Sequence, residues 1–264
     1  MNFKKIWAIA KQNAYEGMYY KYDLLLYIFN FIVEITVYIC IWMAIYNTNT
    51  DIQGITADKM TTYYILVIAL NPILFWGINE LVGDSIREGE IQRELLNPIS
   101  YFNYYFGIRL GELIEAGVVS IITFCISSII FGVTLPSSII NFILFIAMVG
   151  ISVVSLYLFE VILGLMAFYS GTTWGVEMFK RAIINIFSGA IAPLTLFPEI
   201  FQKIASFLPF KDYLYTPINI YFGDINNFEI FQIFVKQGIW ILILYLLAKL
   251  MFNKVIKHIT INGG

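Results

Sequence analysis

The sequence is short of charge, of histidine, of cysteine and of any phosphate-gripping loop. Charged residues make up 13% of its 264 positions, about half the usual ~25%. A soluble globule built from this chain would lack the polar surface to cover its core. The net charge of −2 gives no basic field for nucleic acid. One histidine, His258, argues against a His-built metal site and against a Ser–His or Cys–His nucleophile. Cys40 and Cys125 are too few for a disulfide scaffold. No Gly-x-x-x-x-Gly-Lys-Ser/Thr run occurs, so no nucleotide loop of that kind is present.

What is abundant is apolar. Hydrophobic residues reach 59% against a typical ~45–50%, and the mean hydropathy is +0.78. Disorder needs the opposite balance. The expected class is an all-α, polytopic membrane protein. A spanning helix needs about 20 apolar residues to cross about 30 Å of hydrocarbon. Six runs fit: 24–46, 61–82, 106–133, 138–169, 182–197 and 230–252. The fourth is longer than needed and should tilt. The fifth is short and interrupted by Gly189 and Pro193. Continuous rather than alternating apolarity excludes a β-barrel. No cleavable signal peptide and no segment long enough for a soluble catalytic domain are expected.

Lys and Arg set the orientation. Twelve fall on one side of a six-span arrangement, in the N-terminal tail, at Arg87 and Arg93 with Arg109 just inside span three, at Lys180 and Arg181 between spans four and five, and at Lys249, Lys254 and Lys257 at the C-terminal end. Lys59, Lys203, Lys211 and the near-edge Lys236 fall on the other. Both termini are therefore expected in the cytoplasm. Residues 1–20 are too polar to span, yet Phe3, Ile6, Trp7, Ala10, Ala14 and Met18 recur at helical spacing. They read as an amphipathic helix in the inner membrane interface, followed by an aromatic belt at Tyr19, Tyr20, Tyr22 and Tyr27. A soluble helix packed on another domain is the alternative.

Two segments carry the functional information. Residues 84–98 concentrate charge at Asp84, Arg87, Glu88, Glu90, Arg93 and Glu94 around a ridge of Ile91, Leu95 and Leu96, and Pro98 should stop the helix. A short cytoplasmic amphipathic helix follows, able to lie on lipid or to seat in a partner's groove; a solvated loop is the alternative. Four of the seven prolines fall between 193 and 217, so the chain cannot run there as one straight span. Short helices at 199–207 and around 213–221 should fold back at the outer surface within 198–222, and broken backbone at that depth must be buried in protein or face a cavity.

These residues resemble the permeases of ABC type 2 exporters, in the six-span branch whose ATPase is a separate chain. The run from Ile86 to Ser100 is similar to the class's coupling helix, an "Ile-Arg-x-Gly, then Leu-Leu-x-Pro-Ile/Val-Ser" pattern. The amphipathic N-terminal helix and the Phe197-Pro198 and Leu208-Pro209-Phe210 motifs match in order. Position 90 is Glu and position 97 is Asn, where relatives often carry a small or apolar residue and an Arg. The resemblance implies coupling to cytoplasmic ABC-type ATPase subunits through Arg87, Glu90, Ile91, Glu94 and Leu95. It implies a second permease chain, as a homodimer or paired heterodimer, in the plasma membrane. It also implies that this chain binds no cofactor, ATP and Mg residing on the partner, and that it is not itself an enzyme.

Ionisable groups inside the membrane default to functional candidates. Glu34, Asn71 and Glu160 are candidates for the pathway or for hydrogen bonds across the bundle; Asn71 with Pro72 also reads as a kink. Arg109, Glu112 and Glu115 share a helix face and read as an interfacial ion cluster, with a proton or cation relay as the sharper reading. Lys236 and Lys249 should snorkel, and both cysteines should pack. Outside the exporter class stand an ion-coupled transporter or channel, which would use Glu34 and Glu160, and a membrane-embedded enzyme, which lacks a paired catalytic motif.

Overall fold

A computed structural model describes residues 3–47, 52–75 and 77–262. The side chains of Lys21 and of residues 258–262, His258 among them, lie outside the described residues. The described chain is helical, with one isolated β-bridge between Ile52 and Ile55. The helices are α1 (Phe3–Tyr19), α2 (Lys21–Tyr46), α3 (Ala57–Leu74), α4 (Ile78–Arg87), α5 (Ile91–Leu95), α6 (Tyr101–Phe131), α7 (Ile139–Ser170), α8 (Thr173–Phe187), α9 (Glu199–Phe207), α10 (Tyr215–Phe222) and α11 (Asn227–Asn262). By length and composition, five stretches can cross a membrane: α2, α3 continued by α4, α6, α7 and α11.

α3 is the centre. Its residues from Met60 to Leu70 are buried on every side, which a helix can achieve only inside a ring of others. α2 and α11 form the outside. On α2, Leu25, Phe29, Val33, Val37 and Ile41 recur every four residues and are exposed, as a face for lipid or another chain requires. Ends are set locally. The Thr56 side chain accepts from the Lys59 amide at the start of α3; Ser138 does the same for Asn141 at the start of α7. Gly171, at φ 69°, closes α7 in the left-handed conformation.

α1 is amphipathic, as its spacing predicts, and its two apolar edges do different work. Ile6, Ala10 and Ala14 are buried against α6, where Gly107 and Gly111 leave no room for a side chain: a Cβ on Gly111 would sit 2.6 Å from the Ala10 carbonyl oxygen. Phe3 and Trp7 stay exposed.

The run 61–82 lies within one candidate span, Ala57–Arg87, although not as one helix, and three other expectations are corrected. α3 ends at Leu74, two residues past Pro72, and α4 begins at Ile78. The end of α3 leaves its last carbonyls without intrahelical donors, and they turn to a side chain described below. The run 84–98 is likewise not one helix. Asp84 to Arg87 finish α4, Gly89 at φ 78° reverses the chain, and α5 has only five residues, ending before Pro98. The fifth run, 182–197, belongs to α8 only as far as Phe187; the chain then breaks at Gly189, φ 84°. The cysteines do not pack inside: both are exposed on the bundle's outer faces.

The break after α8 is satisfied by protein groups. The Tyr63 hydroxyl donates to the Gly189 carbonyl at 2.7 Å, the Tyr64 hydroxyl to the Ile191 carbonyl at 2.5 Å, and the Tyr215 amide to the Ser188 carbonyl at 2.9 Å. This is the condition for non-helical backbone at membrane depth. The outer short helices α9 and α10 follow, and α9 covers the 199–207 stretch read from the prolines.

α4 lies close on α7. A Cβ on Gly164 would fall 2.5 Å from Val82 Cβ, and one on Gly83 would fall 3.0 Å from Ala167 Cβ of α7 and 2.6 Å from Thr173 Cγ2 of α8. Between membrane helices such small-residue contacts replace the missing hydrophobic drive. Gly164→Leu should therefore push α4 off α7 at a cost of about 1–3 kcal/mol. Thermal denaturation in detergent, followed by size-exclusion fluorescence, should show a lower melting temperature. An unchanged one would mean that the approach is not tight.

Candidate functional site

α8 places Glu177, Lys180 and Arg181 on one face, at spacings of three and four residues. α7 brings Glu160 and α4 brings Asn79 to the same point. Lys180 is 1% exposed and Glu160 0%. The ammonium uses all three donors: Glu160 Oε1 at 2.9 Å, Glu177 Oε2 at 2.8 Å and Asn79 Oδ1 at 2.7 Å. The Asn79 amide donates back to Glu177 Oε2 at 2.9 Å. Arg181 Nε holds the other Glu177 oxygen at 2.7 Å. Two carboxylates thus face two cations, and three helices are tied by one lysine. Lys180 and Arg181 are therefore not loop residues between spans, the place their charge suggested.

Arg109 is fully buried on α6. Its Nη2 donates to the carbonyls of Ile73 at 2.5 Å and Leu74 at 3.3 Å, and Nη1 meets Glu112 Oε2 at 3.3 Å. These are the last carbonyls of α3, which no intrahelical donor reaches. Two members of the expected cluster, Arg109 and Glu112, are thus paired. Arg109 and Glu112 form a buried clasp on the α3–α4 break, and Glu115 stands apart, its carboxylate over Gly17 of α1.

A cavity of about 350 Å³ opens between α2, α3 and α8. Glu34 and Asn71 line it, together with Tyr38, Glu177, Lys180 and Arg181. Of the three intramembrane candidates, Glu34 and Asn71 thus face a cavity. Glu160 sits behind it and bonds across the bundle.

The segment after α4 is anchored inward at two points. Ile91 is 1% exposed and packs with Ile78, Val82, Ile86, Tyr101 and Tyr105. Glu94 accepts from the Tyr105 hydroxyl at 3.0 Å. Arg87 pairs with Asp84 at 3.1 Å, and Asp84 accepts from Thr173 of α8 at 3.4 Å. Lys5 of α1 donates to the Pro98 carbonyl at 2.9 Å. Glu90 is exposed, Leu95 is 37% exposed and Leu96 85%. The ridge drawn through Ile91 and Leu95 is therefore divided: Ile91 holds the turn down, and Leu95 and Leu96 point away from it.

On the side of the short helices, Asp212 is fully buried. It accepts from Thr216 at 2.6 Å and Gln237 at 2.9 Å, and it pairs with Lys236. Lys236 also donates to the Ser206 carbonyl at 3.1 Å. Burial holds the neighbouring Lys211 ammonium below the usual lysine range, although Asp212 opposes the shift.

Apolar helices wrapped around a buried charge network define a multi-pass membrane protein. The chain matches the ABC-2 family transporter protein family over residues 32–263 and belongs to that family. It is accordingly the membrane permease of an ABC transporter, a transport subunit. A search of curated proteins finds no match.

Sequence reasoning singled out Glu160 but missed Lys180 as its partner, and with it Asn79 and Glu177. The signal was there: Glu177, Lys180 and Arg181 recur at helical spacing beside an apolar run. Removing Lys180 should strand the buried Glu160 carboxylate, while Glu177 keeps Arg181 and Asn79, at a cost of about 3–5 kcal/mol. Lys180→Met should unfold at a much lower temperature than the parent, and Lys180→Met with Glu160→Gln should recover part of the loss. Additive losses in that cycle would show that the pair is not coupled.

Proposed function

We propose that this chain is one half of the translocation pathway of an ABC exporter, driven by separate cytoplasmic ATPase subunits that carry ATP and Mg. A second permease, identical or related, completes the pathway. The observation that carries this reading is the route from the turn at 88–96 to the charge network. Leu95 and Leu96 are exposed on a turn pinned by Ile91 and Glu94. That turn continues α4, and α4 ends inside the network at Asn79. From Asn79 to Arg87 is eight residues of helix, about 12 Å. A partner that grips the apolar tip moves α4, and α4 moves what Lys180 holds. The α3–α4 break, clasped by Arg109, is where that motion separates from α3.

The same reading sets six crossings, with α8 and the broken segment after it as the fifth, and both termini in the cytoplasm of a cell membrane. Arg87 and Glu90, exposed beside the tip, give the ATPase a charged rim. The exposed faces of α2 and α11 meet lipid or the second permease. Alternating access follows: nucleotide closes the ATPases, the turns follow, and the cavity lined by Glu34 and Asn71 changes the side it opens to.

The test is recovery of the partner. A C-terminally tagged chain, extracted in mild detergent, should bring down a stoichiometric cassette ATPase, and Leu95→Asp with Leu96→Asp should lose it while the permease elutes unchanged. Leu96 is 85% exposed and Leu95 37%, so neither belongs to the buried core, and the elution profile checks that the fold survives. Undiminished ATPase recovery in the double variant, or none with the parent, would overturn this coupling route.

A further inference from the structure

The cavity between α2, α3 and α8 has a charge that the rest of the site does not answer. Around it, Lys180 is matched by Glu160 and Glu177, and Arg181 by Glu177. Glu34 has no ion pair or hydrogen bond among the described residues, and it lines the cavity from α2. An unpaired carboxylate within an apolar span is costly. It is offset when a cation occupies the space beside it.

The walls near Glu34 select further. Phe31, Tyr38 and Phe75 line the same cavity. Tyr38 lies one helical turn after Glu34, and its ring stacks on Tyr64 with centroids 4.7 Å apart. Aromatic faces attract cations and bury apolar surface together. At about 350 Å³ the cavity falls within the range of small-molecule sites. Hydrated metal ions would gain nothing from these rings.

We infer that this cavity takes an amphiphilic organic cation, with Glu34 facing the positive charge and the Phe31, Tyr38 and Phe75 side chains facing its apolar body. The inference rests on the pathway reading above, because it names the substrate class of that cavity. Glu34 is then the residue that sets charge specificity, and the Lys180 network is the rigid back wall. Loss of Glu34 removes the preference for positive charge without disturbing the wall.

The experiment uses the full chain, with whatever subunits accompany it, in lipid nanodiscs without nucleotide. Equilibrium dialysis measures tetraphenylphosphonium and its oppositely charged counterpart of the same shape, tetraphenylborate, with empty nanodiscs subtracted. The cation should bind saturably and the borate should not. Glu34→Gln should weaken cation binding by about tenfold or more, the worth of one charge-assisted contact, and Glu34→Asp should keep most of it. No saturable cation binding, equal borate binding, or a Glu34→Gln chain that binds like the parent would each overturn the inference. The cation–borate comparison on the unchanged chain decides the matter even if the variant fails to fold. Because binding is read without ATP, a chain that recruits an ATPase but lacks the cation site overturns this inference alone. A chain that binds the cation but recruits no ATPase overturns the exporter reading instead.

Discussion

One lysine holds the middle of the molecule together. A buried ammonium is among the most expensive groups to place at membrane depth, and it is tolerated only where every proton has an acceptor. Lys180 meets that condition with Glu160 of α7, Glu177 of its own helix and Asn79 of α4. The arrangement fixes more than charge. It sets the rotation of α8, the height of α4 against α7, and the place where α3 must stop so that Asn79 can arrive. An apolar core of similar volume would give no such register, since lipid-like side chains slide past one another at little cost.

The helix breaks are likewise met by side chains from neighbouring helices. α3 stops at Leu74, and Arg109 takes its last carbonyls. α8 stops before Gly189, and Tyr63, Tyr64 and Tyr215 take the loose backbone. Each break is a place where side chains from a neighbouring helix substitute for the missing turn, so the chain can bend there without exposing polar backbone to hydrocarbon. Gly83 and Gly164 then let α4 lie against α7 closely enough for the lysine to reach all three partners.

Much of this was legible in the sequence, and what was not has physical causes. Long apolar runs announce α2, α6, α7 and α11, because hydrocarbon thickness imposes a minimum length on them. The stripe of Ile6, Ala10 and Ala14 announces α1, and proline spacing announces α9. Hydropathy cannot see a break inside an apolar run, so α3 and α4 read as one helix and α8 read as starting too late. It also treats lysine as a mark of the surface. Lys180 and Arg181 were counted with the loops for that reason, although Glu177 three and four residues earlier already offered them a partner. Which of Glu34, Asn71 and Glu160 would face a cavity was beyond sequence, since facing depends on the rotation that Lys180 sets. Likewise Ile91 and Leu95 share a ridge by spacing, yet a turn at Gly89 sends one inward and leaves the other out.

The central claim is that α4 and α8 move as one body, joined at the lysine, while α3 and α6 stay behind the break. Paired spin labels in the nanodisc complex, with Cys40 and Cys125 replaced by serine, measure this directly. Labels at Arg87→Cys and Met178→Cys report α4 against α8; labels at Arg87→Cys and Val118→Cys report α4 against α6. The account predicts that ATP leaves the first distance unchanged and shifts the second. A first distance that changes as much as the second, or two distances that both ignore ATP, would contradict it.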